Sequence, residues 1–327
     1  MIIAVKKISF LVPCYNEEQN IEPMVEALRA IMIPFADIYD YEIIYRDNMS
    51  TDNSLGVLRR LATGDKRIKV IANAKNYIND YWKNSFRGRV SGDLAIMIAG
   101  DMQEPPEMIP EFIKWYEKGY EAVCGQKIDS EEGWLKYHLR QVFYNIIDMF
   151  SDTKQYRNMS GIILLSRRLI DLLWESNSYP AVRYFLADLG CEVKLIPYKQ
   201  RKRTYGKSSY SWGKSLSFAI SALLETSTKP LRVATLTGLF MSFFSFAIGI
   251  VYLILKLLYW DKFYTGMAPL LIGIFFIGSI LLFFIGLIGE YVGNVLRRVK
   301  PHQPPIVREL INFEDQSDKY LIRHIEE

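Results

Sequence analysis

The chain has 327 residues, 50% of them hydrophobic, with 40 basic and 36 acidic side chains and a net charge of +4. That length suits about two units at roughly 150 residues each, and so small a net charge makes its placement more informative than its sum. The three cysteines (Cys14, Cys124, Cys191) lie too far apart for a disulfide framework, and the three histidines form no zinc-binding cluster.

The opening residues, Met1 to Val5, lead through Lys6 and Lys7 into a strand, so no signal peptide is expected. Ile8 to Val12 reads as that strand, and Pro13 breaks it. Apolar residues at Ile21, Met24, Val25, Leu28 and Ile31 give a helical stripe over Glu17 to Met32. Tyr41 to Tyr45 is a second strand, ending in a polar turn where Ser50 or Thr51 can cap the helix that carries Leu55, Leu58 and Leu61. Lys69 to Ala72 and Leu94 to Ala99 are further strands. Strands alternating with helices predict an α/β domain with a mostly parallel, doubly wound sheet.

Three strand ends then offer carboxylates or amides to one rim: Tyr15 to Glu17, Asp47 with Asn48, and Asp101 to Gln103. Ligands of open α/β sheets sit at the carboxyl ends of strands. Asp101 and Gln103, two apart, can face one way as hard oxygen ligands for Mg²⁺ or Mn²⁺ on a diphosphate. The same residues also suit an acidic turn that caps the helix starting near Glu107. Neither a G-x-G-x-x-G nor a G-x-x-x-x-G-K-[ST] run follows the first strand, which removes the dehydrogenase and P-loop fingerprints.

Pro13-Cys-Tyr-Asn-Glu-Glu18, Arg46-Asp-Asn-Met-Ser-Thr-Asp52 and Asp101-Met-Gln-Glu-Pro-Pro-Glu107 resemble the three signatures of family 2 glycosyltransferases with the GT-A (nucleotide-diphospho-sugar transferase, Rossmann-like) fold. The resemblance is strongest to the polyprenyl-phosphate branch, relatives of dolichol-phosphate mannosyltransferase and bactoprenol glucosyltransferases. It implies that Pro13, Tyr15 and Glu17 line a nucleoside pocket, that Asp47, with Asn48 beside it, meets the base, and that Asp101 and Gln103 bind the metal. Two positions depart from the pattern. Ala99 stands where the family has a second acid, and Asn48 where it often has a second Asp. Mg²⁺ commonly keeps several waters and few protein ligands, so Asp101 and Gln103 can suffice.

Tyr120 to Cys124 is another strand, with Lys127 just beyond it. The apolar helix expected over Trp134 to Phe150, with Lys136 and Arg140 interspersed, suits either a membrane interface or a domain core. Asn158-Met-Ser-Gly161 precedes a strand, Ile162 to Leu165, and resembles an Asn-Phe-Thr-Gly subgroup in which no acid stands as base. A phosphate monoester has a second pKa of about 6 and needs no base at neutral pH, only orientation and charge shielding. Asn158 can position such an acceptor or simply form a turn. After the last strand, Glu192 to Pro197, come Lys199, Arg201, Lys202, Arg203 and Lys207 beside Gly206 and Ser208. Such a run suits a phosphate-binding loop. By resemblance Arg203 to Gly206 closes over the phosphates, which makes Asp101, Asn158 and Arg203 the catalytic set. Lys127, Arg140, Arg201, Arg203, Lys207 and Ser208 are then expected at the acceptor phosphate.

An amphipathic helix is expected over residues 211–228, and Val233 to Leu255 and Met267 to Gly289 are uncharged runs of about 23 residues each, long enough to cross a bilayer. Lys229, Arg232, Arg297, Arg298 and Lys300 flank them on one side, so both termini are expected to face the cytoplasm. The expected organisation is a catalytic domain over 1–210, an interfacial helix over 211–228, a transmembrane hairpin over 229–299 and a polar tail over 300–327 that covers the catalytic domain or stays mobile. The expected partners are a nucleotide-sugar donor (a UDP-hexose), a polyprenyl (undecaprenyl) phosphate acceptor and the cytoplasmic membrane; nucleic acid is not expected, and a homo-oligomer is left open. A GDP-mannose donor, or a non-catalytic membrane anchor, are the alternatives.

Overall fold

The computed structural model describes residues 5–77, 82–129, 156–176, 182–201, 229–258, 267–299, 305–314 and 321. The chain divides into two units. One comprises 1–140, 155–211 and 302–327, the other 141–154 and 212–301.

The first unit is built on an eight-stranded mixed sheet. Its strands are β1 (Lys6–Cys14), β2 (Tyr39–Asp47), β3 (Ile68–Asn73), β4 (Leu94–Met97), β5 (Ala122–Asp129), β6 (Met159–Ser166), β7 (Val193–Lys199) and β8 (Val307–Ile311), in the spatial order β7-β5-β6-β4-β1-β2-β3-β8. Helices α1 (Glu18–Met32), α2 (Ser54–Gly64), α3 (Trp82–Phe86), α4 (Ile109–Glu117), α5 (Arg167–Glu175) and α6 (Val182–Leu189) complete this unit. The period-2 alternation of each strand feeds two apolar layers. Phe10, Val12, Ile43, Tyr45 and Ile96 face one side with α1, α2 and α4; Leu11, Ile44, Ile71 and Leu165 face the other with α5 and α6. The α/β expectation holds, and all seven expected strands form.

Two features differ from a doubly wound sheet. Strand β6 runs antiparallel to both β4 and β5, its neighbours on either side. A strand's direction is not written in its own composition, and here the reversal brings the start of β6, with Asn158 just before it, to the edge where β4 and β5 end. Second, the tail after residue 300 contributes β8, antiparallel to β3. Val307 and Leu310 are buried in the sheet, and Arg59 pairs with Glu309 at 2.5 Å. In the short strand the two buried apolar residues, Val307 and Leu310, are three apart, so no period-2 alternation announces it.

The second unit contains two long apolar helices, α7 (Lys229–Leu258) and α8 (Met267–Val299). A methyl group added at Gly238 of α7 would lie 3.8 Å from the Phe284 ring of α8, so the helices run side by side there. Phe240, Phe243, Leu282 and Phe283 are each about two-thirds exposed or more. Exposed apolar faces of this size mark a contact with a membrane or another protein surface. Among the described residues, Phe276–Gly293 is long and apolar enough to cross a membrane, with mean hydropathy 1.9, and Leu231–Met241 is a shorter apolar stretch. The helices expected over Trp134 to Phe150 and over 211–228 lie outside the described residues.

Candidate active site

The site is assembled where β1, β2 and β4 end. Cys14 and Asp47 are register partners at the last position of the β1–β2 pair, and the Asn48 N–H donates to the Cys14 carbonyl at 2.9 Å. Beyond that point the two loops are stitched by side chains. Asn16 N–H donates to Ser50 Oγ (2.9 Å), Thr51 N–H to Asn16 Oδ1 (2.7 Å) and Glu17 N–H to Ser54 Oγ (3.0 Å). Ser50 and Thr51 therefore bind the first loop. Asn53, not Ser50 or Thr51, stands at the N-cap of α2, and Asp52 Oδ1 accepts the N–H of its first residue, Ser54, at 3.0 Å.

Within this frame Asp47 is fully buried, and its carboxylate accepts from the Ser50 N–H at 3.3 Å. Tyr15 is 37% exposed and Pro13 is half-buried, in register with Arg46. Glu17 accepts from Asn20 Nδ2 at 2.5 Å. The Asn48 amide is bonded to the segment around the end of β3: its Nδ2 donates to Asn76 Oδ1 (2.7 Å) and the Tyr77 carbonyl (2.8 Å), while its Oδ1 accepts from Asn73 Nδ2 and the Tyr77 N–H, both at 3.0 Å. Its amide thus holds the segment that follows β3.

The β4 end lies against β1, with the Ile98 N–H donating to the Leu11 carbonyl at 3.2 Å. Only glycine fits easily at position 100, because a methyl there would sit 3.1 Å from the Pro13 carbonyl oxygen. Asp101 Oδ1 accepts the Gln103 N–H at 3.2 Å, closing a tight turn through Met102 at φ +58°. Asn16, Met49, Met102 and Asn158 all have positive φ, and each sits in a loop at this rim. Non-glycine residues occupy that region at a cost of about 1–2 kcal/mol and persist where the surroundings over-determine them.

Glu104 is the residue that sequence reasoning passed over. It is 6% exposed, and its carboxylate accepts from the Gly161 N–H (2.8 Å), the Ala99 N–H (3.4 Å) and the Tyr198 hydroxyl (3.5 Å). Burial raises its pKa against the opposing pull of the Ala99 and Gly161 N–H groups, and nearby Asp101 raises it further. One side chain thus ties the Asp101 turn to β6 and β7. A methyl at Gly161 would stand 3.2 Å from its Oε1. The signal was present in the third signature, as an acid before two prolines, but its partners lie 57 and 94 residues away.

Two of the residues expected on the acceptor side, Arg201 and Lys127, are bonded to neighbouring loops. The Arg201 N–H donates to the Gln103 carbonyl at 3.0 Å, and its guanidinium meets Glu107 at 3.2 Å. The Lys127 N–H donates to the Asn158 carbonyl at 2.9 Å. The structure therefore brings Pro13, Tyr15, Glu17 and Asp47 into one stitched pair of loops, and Gln103, Glu104 and Arg201 into a second group. Arg140, Arg203, Lys207 and Ser208 lie outside the described residues.

Arg46 is a further surprise. It is 3% exposed, and its Nε and Nη1 have no hydrogen-bond partner. Burial lowers its pKa to about 10, so it remains a cation at neutral pH.

Among the described residues no group of three or more His, Cys, Asp or Glu side chains is placed to hold a metal. One carboxylate and one amide on a short turn fit Mg²⁺ or Mn²⁺ shared with substrate phosphates, not an all-protein cage.

Residues 9–172 match the model of glycosyl transferase family 2, and residues 229–295 match the GtrB C-terminal hairpin. The chain is 29% identical over 308 residues to the SfII prophage-derived bactoprenol glucosyl transferase of Shigella flexneri, covering 92% of this chain and 97% of that one. It is 27% identical over 308 residues to the prophage bactoprenol glucosyl transferase homolog of Escherichia coli K12, covering 92% and 98%. Among solved structures it resembles the mannosyltransferase PcManGT of Pyrobaculum calidifontis (TM-score 0.48, 15% identity, 70% of this chain and 65% of that one). With a family model spanning half its length, over the sheet that carries the rim just described, the chain belongs to glycosyl transferase family 2.

Proposed function

We propose that this enzyme transfers one hexose from a nucleotide sugar, a UDP-hexose, to polyprenyl phosphate at the cytoplasmic face of a membrane. The observation that carries the proposal is the docking of Arg201 on Gln103, which joins the start of the basic segment to the turn that holds Asp101. It sits in a chain whose relatives over nearly full length are bactoprenol glucosyl transferases.

In this reading the loops after β1 and β2 receive the nucleoside, with Tyr15 against it and Asp47 at the base. Asp101 and Gln103 hold Mg²⁺ or Mn²⁺, which when bound offsets charge on the departing diphosphate. The lipid phosphate is already mostly a dianion at neutral pH, so one of its oxygens attacks C1 directly. The O–C1 bond forms as the bond from C1 to the diphosphate oxygen breaks, the electron pair leaves with the nucleoside diphosphate, and the anomeric centre inverts. Asn158 and Lys127 orient the acceptor, and the cations from Arg201 to Lys207, with Arg140 and Ser208, shield the phosphates. The apolar helices α7 and α8 anchor the enzyme as two spans with both termini in the cytoplasm, at the depth where a lipid phosphate lies.

Membranes containing the enzyme, undecaprenyl phosphate and Mg²⁺ are incubated with labelled UDP-glucose, UDP-galactose, UDP-N-acetylglucosamine or GDP-mannose. Label moves into the lipid fraction from a uridine donor. Transfer from GDP-mannose alone reassigns the donor. Metal-dependent binding of a nucleotide sugar without any lipid product makes the chain a non-catalytic anchor and overturns the proposal.

A further inference from the structure

The strand that follows the second apolar helix is bonded to the same residues that steady the rim. Strand β8 covers the outer edge of β3, which would otherwise present unpaired N–H and C=O groups. The contact continues past the end of β3: the Ala74 N–H donates to the Ile306 carbonyl, and the Ile306 N–H donates to the Tyr77 hydroxyl, both at 2.9 Å. Tyr77 in turn is gripped through its backbone by Asn48, whose Nδ2 bonds the Tyr77 carbonyl at 2.8 Å and whose Oδ1 accepts the Tyr77 N–H at 3.0 Å. Asn48 is the covalent neighbour of Asp47 on one side and of Met49, at φ +61°, on the other. The strained turn that aims Asp47 is therefore held from behind by Tyr77, and Tyr77 is held by the tail.

The tail is well placed to bear that load. Asn312 Nδ2 donates to the carbonyls of Ala62 (2.7 Å) and Ile68 (2.8 Å), fixing the far end of β8 to the α2–β3 turn. Beside Ile306, Val307 is fully buried. A strand fixed at its far end and buried at the residue next to Ile306 leaves Ile306 little freedom.

We propose that β8 is a positioning element of the donor pocket, acting through the Ile306–Tyr77 hydrogen bond and the Asn48 amide on the turn that carries Asp47. Tyr77 and Ile306 are positioning residues, since they act through the Asn48 amide, and the inference rests on reading the rim at Asp47 as the nucleotide site. It makes the segment leaving the membrane-type hairpin a part of the machinery for nucleotide recognition.

The test removes one hydrogen bond from each end in the full-length enzyme: Tyr77→Phe deletes the acceptor and Ile306→Pro deletes the donor. A third variant, Glu309→Gln, weakens the Arg59 pair on the same strand without touching Tyr77. UDP and GDP binding is measured by calorimetry, with KM and kcat for the sugar nucleotide and the melting temperature measured in parallel. A lost neutral hydrogen bond predicts binding weaker by about three- to ten-fold in both Tyr77→Phe and Ile306→Pro, carried in KM with kcat nearly unchanged. Glu309→Gln lowers the melting temperature and leaves nucleotide affinity intact. If the wild type binds neither nucleotide, the reading of the pocket falls and takes the inference with it. If the wild type binds and either folded variant binds as tightly, the inference alone falls. Equal weakening by Glu309→Gln also overturns it, because general loosening would then explain the loss.

Discussion

The Arg201 N–H and the Gln103 carbonyl meet at 3.0 Å, joining two segments almost a hundred residues apart. On one side of that bond lies the turn with Asp101; on the other, Arg201 belongs to a sequence run of five cations from Lys199 to Lys207. In the proposed reaction the metal-binding acid and the phosphate-shielding cations share one cleft, and this bond brings the Arg201 backbone to the turn that carries Asp101.

Replacing Asp101 with alanine removes the only carboxylate expected at the metal. Transfer to the lipid acceptor falls by about 10²–10³-fold, the scale seen when a single charge-stabilising group is lost. EDTA reproduces the loss and added Mg²⁺ or Mn²⁺ reverses it. Product formation near the wild-type rate in Asp101→Ala would remove the metal from the mechanism.

Glu104→Ala strands the Gly161 N–H and opens space beneath the Asp101 turn. Orphaning a buried donor costs about 1–3 kcal/mol, so the melting temperature drops by several degrees. Gly161→Ala produces a fall in the same direction, because its methyl has to displace the Glu104 carboxylate. Thermal melts of the two variants check this, and an unchanged value for Glu104→Ala contradicts it.

Arg46 leads to the opposite expectation. A buried guanidinium whose Nε and Nη1 lack partners is costly, and apolar replacements of buried ionic groups gain about 1–4 kcal/mol. Arg46→Met should therefore raise the melting temperature. A lower value would mean that the guanidinium is paired in solution.

Glu42 makes the fold sensitive to acid. It is 1% exposed, and its Oε1 accepts from Ser9 Oγ (2.6 Å) and the Ser91 N–H (2.9 Å) while Lys69 Nζ lies 2.8 Å from Oε2. Burial alone would raise its pKa; the Lys69 ion pair and the hydrogen bonds from Ser9 and Ser91 outweigh it and hold the group at about 2, below the usual 4.5. The folded-state value is the depressed one, so this stabilisation is fully present above pH 4.5 and is lost as the pH falls from there toward 2. At 1.36 kcal/mol per unit the loss is roughly 3 kcal/mol. Melting of Glu42→Gln against pH checks it, because the variant starts less stable and loses less between pH 5 and 3.

Seven strands, the order in which their polar ends follow one another, and two long apolar helices were legible in the residues alone. These are written locally, in period-2 and period-3.6 hydrophobicity and in breakers such as Pro13 and Pro105–Pro106. The three signatures also named Asp47, Asp101 and Gln103 as candidates without any coordinates. Only the tertiary structure decided the direction of β6, the partners of Glu104, and the recruitment of residues 307–311 as an edge strand. Each of those depends on groups dozens to hundreds of residues apart in the chain. A hydrogen bond from Gly161 to Glu104, or from Ile306 to Tyr77, leaves no period in the sequence, because its two halves are set independently and meet only when the sheet closes.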